Sequence, residues 1–283
     1  MCIGRWGLPS EGEIKAGQPN HGQSAILEWE QVEQTENLLK MQVTAPLDGL
    51  STLRTLTISK DAAAFEVTEK LKSTNVLGRL YNMVQHPTLA APFLDAETRV
   101  DCNATLGINY NFDTDPLQYA AEWPNGLCEN GDVMNVSVPD VAHSSVFSYI
   151  VNKDDAHGWI TAYSPKNNLL IGYVWKREEY PWIDIWQHFV DGEIKYRGIE
   201  FGTSGIHKPF NEILENNNSL LFGEKTLLHI DAGDEVSYRY GAFLLQPEAG
   251  FTGIESIKVQ NGDILIKPKG NDLVKLETGF KNL

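Results

Sequence analysis

Several things are scarce in this chain, and each scarcity excludes something. There are only three cysteines among 283 residues, Cys2, Cys102 and Cys128. An odd, widely spaced set makes neither a disulfide framework nor a zinc motif, although a Cys102–Cys128 bridge is compatible with it. No run of 18 apolar residues exists, so no membrane-spanning helix is expected. The opening MCIGRWGLPSEGE lacks the apolar stretch of a secretory signal, so the expected location is cytoplasmic. The sequons at Asn103, Asn135 and Asn217 then carry little weight. Positive charge is also short: 23 Lys and Arg face 38 Asp and Glu, for a net charge of −15. The basic residues do not cluster, which argues against nucleic acid or an anionic membrane as partner. Long helical periodicity, internal repeats and heptads are missing. Gly-rich phosphate loops, HExxH and GxSxG are missing too, and the seven His are scattered, so neither a metal nor a cofactor is expected.

What is abundant is strand signal. LLKMQVTAP, STLRTLTISKD, AAFEVTEKL, VFSYIVN, HGWITAYSP, NLLIGYVWK and WIDIWQHFV are short alternating or β-branched runs. Turn clusters such as PLDG, KNN, DGE, ENNNS and DAGD separate them. QNGD, between IESIKV and ILIKP, predicts a hairpin with a two-residue Asn-Gly turn. Short helical pieces are expected only near Asp115–Ala121 and Phe210–Asn216. The fold class is therefore all-β, a sandwich or barrel of antiparallel strands. A single domain over residues 1–283 is expected, because all-β domains commonly run to roughly 200–250 residues. Residues 246–283 read as appended C-terminal strands, a hairpin or an edge. Aromatics are plentiful, with seven Trp, which suits a sheet core and also suits stacking on sugar rings.

Three segments carry candidate chemistry. In PNHGQSAILEWE, His21 sits beside a glycine just before a strand, where it can project from a turn into a cleft. In LYNMVQHPTLAAPF, Pro87 ends a strand by fixing φ and removing a donor. That leaves His86 at a strand end, with an ordinary pKa near the range of general acid–base work. In EEYPWIDIWQHFVDGEIKYRGIEFGTSGIHKPF, Glu200 lies within the apolar run GIEFG. A carboxylate in such a run is either paired structurally or tuned for a task. Arg197 is close in sequence, but three residues along a strand face opposite sides.

The order of these segments resembles the galactose mutarotase-like (aldose 1-epimerase) superfamily. NHG before a Trp, His-Pro after a strand meander, YPWIDIWQH, then YRGIEFGT and the turn in HIDAGDEVSYRYGAFL follow that family's sequence of motifs over roughly residues 4–245. The resemblance implies a β-supersandwich of large antiparallel sheets with few short helices. It puts His21 in the place of the family's first active-site His, His86 in the place of the second, and Glu200 in the place of its Glu. Asn20 and Arg79, in the same segments, become further sugar-contact candidates, and Trp182, Trp186 and Tyr180 become stacking candidates. Two departures stand out. The family carries an Asn-Arg pair on strands ahead of the His-Gly segment, whereas here that segment begins at Asn20; whether Arg5 substitutes is open. The family also has an Asp on the sugar hydroxyls; Asp154 and Asp155 lie in the right region, with no motif to choose between them.

The activity implied is cofactor-free interconversion of the α and β anomers of a hexose. Glu200 would be the base, His86 the acid, and His21 a group that orients the sugar. A non-catalytic carbohydrate-binding protein on the same scaffold is the alternative, because fold does not fix function. A hydrolase or lyase ranks third, since a hydrolase needs two carboxylates across the site and only one stands out. The partner expected in every case is a small-molecule sugar, with no way to read which one or whether it is phosphorylated. The oligomeric state is equally unreadable.

Overall fold

The computed structural model describes residues 1–110, 115–139 and 144–283. The strand runs named above all form strands, and the large sheets are antiparallel throughout. One sheet of nine strands runs, in spatial order, Cys2–Gly4, Arg79–Gln85, Glu193–Gly202, Trp182–Val190, Ser145–Val151, Ala104–Asn109 and Ala120–Glu122. Leu228–Ile230 and Thr88–Leu89 pair at its side. The second sheet has eight strands and runs from Glu30–Gln34 through Leu38–Ala45, Leu50–Ile58, Ala64–Ser73, Glu235–Leu245, Leu169–Lys176 and His157–Ser164 to Arg99–Cys102. The chain folds as the all-β sandwich expected.

Alternation explains how the sheets meet. Successive residues of a strand face opposite sides. Ile183 and Ile185, with Phe147, Tyr149, Ile199 and Phe201, turn inward from the nine-stranded sheet. They meet Val67, Leu71, Ile160, Tyr173, Trp175 and Tyr240 of the other sheet. Trp175 stacks on Phe201 at 4.2 Å between ring centroids. Burying aromatic rings of this size supplies much of the energy that holds such a core.

The same alternation sends Trp182, Asp184, Trp186 and His188 to the opposite, outer face of the nine-stranded sheet. One end of that face is covered. Trp182, Ile108 and Ile150 pack there against Ile206, Phe210 and Ile213, the last two on the short helix Phe210–Glu215. The other end is left for polar residues.

Both helical pieces form where expected, over fewer residues. Near Asp115 the chain makes a 3-10 turn, Pro116–Tyr119, capped by the Asp115 side chain. A further helix, Glu11–Lys15, begins with a reciprocal capping box between Ser10 and Glu13. That Ser-x-x-Glu spacing is a helix start signal legible in the sequence. The QNGD turn forms with Gln260 opposite Asp263, and both Asn261 and Gly262 have positive φ. The C-terminal strands Ile254–Gln260, Asp263–Pro268 and Val274–Leu276 make a separate three-stranded sheet. Its Ile254, Ile257, Ile264 and Ile266 pack on Trp159, Leu170, Val174 and Phe243. The tail is a hairpin extended by a third strand, laid as an added layer over the outward-facing residues of the eight-stranded sheet.

Cys102 is a buried free thiol, so the Cys102–Cys128 bridge does not form. The half-buried Asn103 side chain donates to Asp155 at 2.9 Å and to the His157 carbonyl, and accepts from Trp159 N–H. Among the described residues no helix is long and apolar enough to cross a membrane.

Candidate active site

Register builds the site. Gln85 lies opposite Phe201, and Thr88 lies opposite Gly198. The register is the same on both sides of His86-Pro87, which places His86 opposite Glu200. Glu200 is the cross-strand partner of Asp184, and Asp184 is the partner of Ser148. A row of four polar residues, His86, Glu200, Asp184 and Ser148, therefore crosses the outer face of the sheet. Residues directly opposed in this way have Cβ atoms about 4.5–5.5 Å apart.

At one end of the row His86 Nε2 lies 3.1 Å from Glu200 Oε1. The glutamate carboxyl rests over Gly198, where a Cβ would sit 2.5 Å from Oε1. His86 Nδ1 meets Thr88 Oγ1 at 3.2 Å, which fixes the ring from the other side. His21 comes in from the N-terminal segment with a positive φ of 64°, and trades backbone and side-chain contacts with Gly7. Its ring stands 5.9 Å from His86 and 5.2 Å from His207. His207 follows the Glu200 strand and touches Trp6 and Tyr110 edge-on at 5.0 and 5.7 Å. Trp186 closes the group, 5.7 Å from His86.

The electrostatics follow from burial. Desolvation lowers the His86 pKa to about 4, with the N-terminal ammonium and then His21 adding to it, and lowers that of His207 to about 4, with His21 and His86 adding; burial and the ammonium lower that of His21. Burial thus disfavours the charged form of all three rings. Burial, and then Asp184, pushes the Glu200 carboxyl well above the carboxylate range; the N-terminal ammonium and Trp6 act the other way. Asp184 is also pushed well up by burial, with the Ser148 hydroxyl only partly offsetting it. Burial thus disfavours the charged form of both members of the His86–Glu200 contact. Among the described residues no three His, Cys, Asp or Glu are placed to hold a metal ion.

The structure brings together His21, His86, Glu200 and Trp186. Asn20 lies exposed in the turn just before His21. The others fall elsewhere. Tyr180 is fully buried in the main core, its hydroxyl accepting from Gln85 at 3.1 Å, and presents no ring face to a ligand. Trp182 is fully buried beneath the Phe210 helix, its indole donating to the Lys225 carbonyl. Both are corrected from sugar-stacking candidates to core residues. Arg79 donates to the Leu47 and Leu80 carbonyls, away from the histidine rings. Arg5 is buried against Phe210 and ion-paired with Glu13. Arg197 binds the Val136 and Val138 carbonyls and Gln187, not Glu200, as alternation requires. Asp155 is held by Asn103, and Asp154 bonds through its backbone within the same turn.

His207, Trp6, Tyr110, Asp184 and Ser148 were not singled out from sequence. Asp184 had a signal: WIDIW places a carboxyl within an apolar run, the same feature that marked Glu200.

No family model and no curated protein matches the chain by sequence. Solved structures do match. A galactose mutarotase-like protein from Clostridium acetobutylicum superposes with a TM-score of 0.57 at 15% identity, over 86% of this chain and 73% of that one. A galactose mutarotase related enzyme from Lactobacillus acidophilus gives 0.59 at 11%, over 81% and 74%. A candidate aldose 1-epimerase from Klebsiella pneumoniae gives 0.57 at 14%; the match covers 81% of this chain but only 58% of that protein's length. The chain has the galactose mutarotase-like fold.

Proposed function

We propose that this chain is a carbohydrate-active protein of the aldose 1-epimerase type, acting on a hexose at the cluster formed by His21, His86, His207 and Trp186. The observation that carries the reading is the 3.1 Å contact between His86 and Glu200 in an aromatic-walled cluster on a mutarotase-like fold. Ring opening needs one group to take the proton of the anomeric hydroxyl and another to give a proton to the ring oxygen. The C1–O5 bond then breaks, the aldehyde rotates, and the ring closes on the other face. A pair holding one shared proton meets that demand. With the proton on His86, Glu200 is the base and His86 the acid. With the proton on Glu200 the count is the same, and transfer across the contact interconverts the two without solvent. His21 and His207 offer a donor or acceptor to sugar hydroxyls, and Trp186 offers a ring face.

One observation favours a second reading, a sugar-binding module without turnover. The Glu200 side chain is only 1% exposed, behind His86, so a sugar meets His86 first. The two readings separate in an NMR exchange experiment on α- and β-anomers of several hexoses. The catalytic reading predicts exchange faster than buffer, abolished by Glu200→Gln. Anomer-specific line broadening with buffer-rate exchange supports the binding module instead.

A further inference from the structure

Asp184 has no part in the reaction written above, yet it is the least satisfied polar side chain at the site. It is fully buried, and neither carboxyl oxygen has a hydrogen bond of good geometry. It occupies the strand between Ser148 and Glu200, directly opposite both. The groups that face it are the Ser148 hydroxyl, the Glu200 carboxyl and, from the Cys2–Gly4 strand, the buried Cys2 thiol. None of these is a cation; the N-terminal ammonium acts on Glu200 and Cys2, whereas Asp184 feels only burial and the Ser148 hydroxyl. Two buried carboxyls opposed across a strand pair cannot both ionise, because each charge disfavours the other and neither is solvated. His86 pairs with Glu200, so Asp184 is the carboxyl with no imidazole or cation beside it.

We propose that Asp184 is held as the neutral carboxylic acid and serves as a positioning residue that fixes the proton count of the His86–Glu200 pair. A neutral neighbour leaves the pair with one proton to share. An ionised Asp184 beside Glu200 would bind that proton to the glutamate more tightly, and Glu200 could no longer accept one from a substrate. The direction of the Asp184 shift agrees with this arrangement. The charge state itself does not depend on the epimerase reading; only its consequence for turnover rests on that reading.

The test is infrared spectroscopy of the full-length protein with ¹³C-carboxyl aspartate, at pH 7. An isotope-shifted carbonyl stretch of a protonated acid is expected, and it should vanish in Asp184→Asn. A labelled sample with only ionised aspartate stretches overturns the proposal, and that measurement needs no variant. A second readout is the His86 imidazole titration by NMR in Asp184→Asn. Replacing a neutral acid by a neutral amide should move the His86 pKa by less than about 0.3. A fall of a full pH unit would mean that an anion had been removed, and would contradict the proposal. A failed anomer-exchange assay leaves both readouts intact, so failure of the reaction and failure of this assignment are distinguishable.

Discussion

His86 and Glu200 lie at ion-pair distance, yet burial opposes charge on each of them. A carboxylate and an imidazolium would attract one another, but the lost hydration of a wholly buried carboxylate outweighs that attraction where few other donors reach it. The unpartnered Glu200 Oε2 fits the uncharged state. The consequence for stability has a definite sign. The His207 value of about 4 in the folded protein lies below the ordinary 6.5. Between those values the unfolded chain takes up a proton that the folded one refuses. The histidine therefore stabilises the fold fully above about pH 6.5, and that contribution is lost as pH falls toward about 4. Glu200 and Asp184, with raised values, slope the opposite way, so the wild-type curve alone is ambiguous. The expectation is for a difference: His207→Asn should lose less stability than wild type between pH 6.5 and 4, read from urea midpoints. A steeper loss in the variant would mean that His207 is a stabilised cation.

The strands were legible because a half-buried strand writes its period of two directly into the residues. WIDIWQHFV and GIEFG alternate as they should, and the sides on which Glu200 and Arg197 lie followed from that alone. What alternation does not report is which part of a sheet face another element covers. Trp182 and Trp186 share a face and read alike, yet the helix Phe210–Glu215 buries the first and leaves the second half-open. Tyr180 precedes its strand, outside the alternating pattern, and its place in the core depends on Gln85 and Glu69 from distant strands. The C-terminal hairpin is the clearest local success. Its turn uses Asn261 and Gly262 in the left-handed region, and Gly262 has φ of 83°. A Cβ there would sit 2.2 Å from the Phe280 carbonyl oxygen, itself beside the chain that closes the three-stranded sheet. Gly262→Ala should cost about 1–3 kcal/mol, from backbone strain and that clash. Hydrogen exchange should show the loss first as faster exchange within residues 254–276. A cost below about 0.5 kcal/mol would mean the turn relaxes freely.

At the scale of the molecule, the candidate site is assembled from parts of the chain that local pattern cannot relate. Strand Arg79–Gln85 pairs with Glu193–Gly202 across more than a hundred residues of sequence, and His21 and His207 arrive from loops on either side. The resemblance to the mutarotase-like superfamily named His21, His86 and Glu200 by their order, and the structure places those three side chains together. It did not name His207 or Asp184, because neither belongs to a motif and both gain meaning only from the register. The outer sheet face is divided between an apolar cap and a polar row, and the C-terminal layer covers the opposite sheet. The histidine end of the nine-stranded sheet is thereby left as the place where buried titratable groups meet half-exposed aromatic rings. The central claim is that these groups move protons on a sugar. The measurement that tests it most directly is the rate of α–β anomer exchange by NMR, with wild type, His86→Gln and Glu200→Gln compared side by side. Loss of one of two general acid–base groups is expected to slow exchange by on the order of 10²–10⁴-fold. Equal rates in wild type, both variants and buffer would contradict the account.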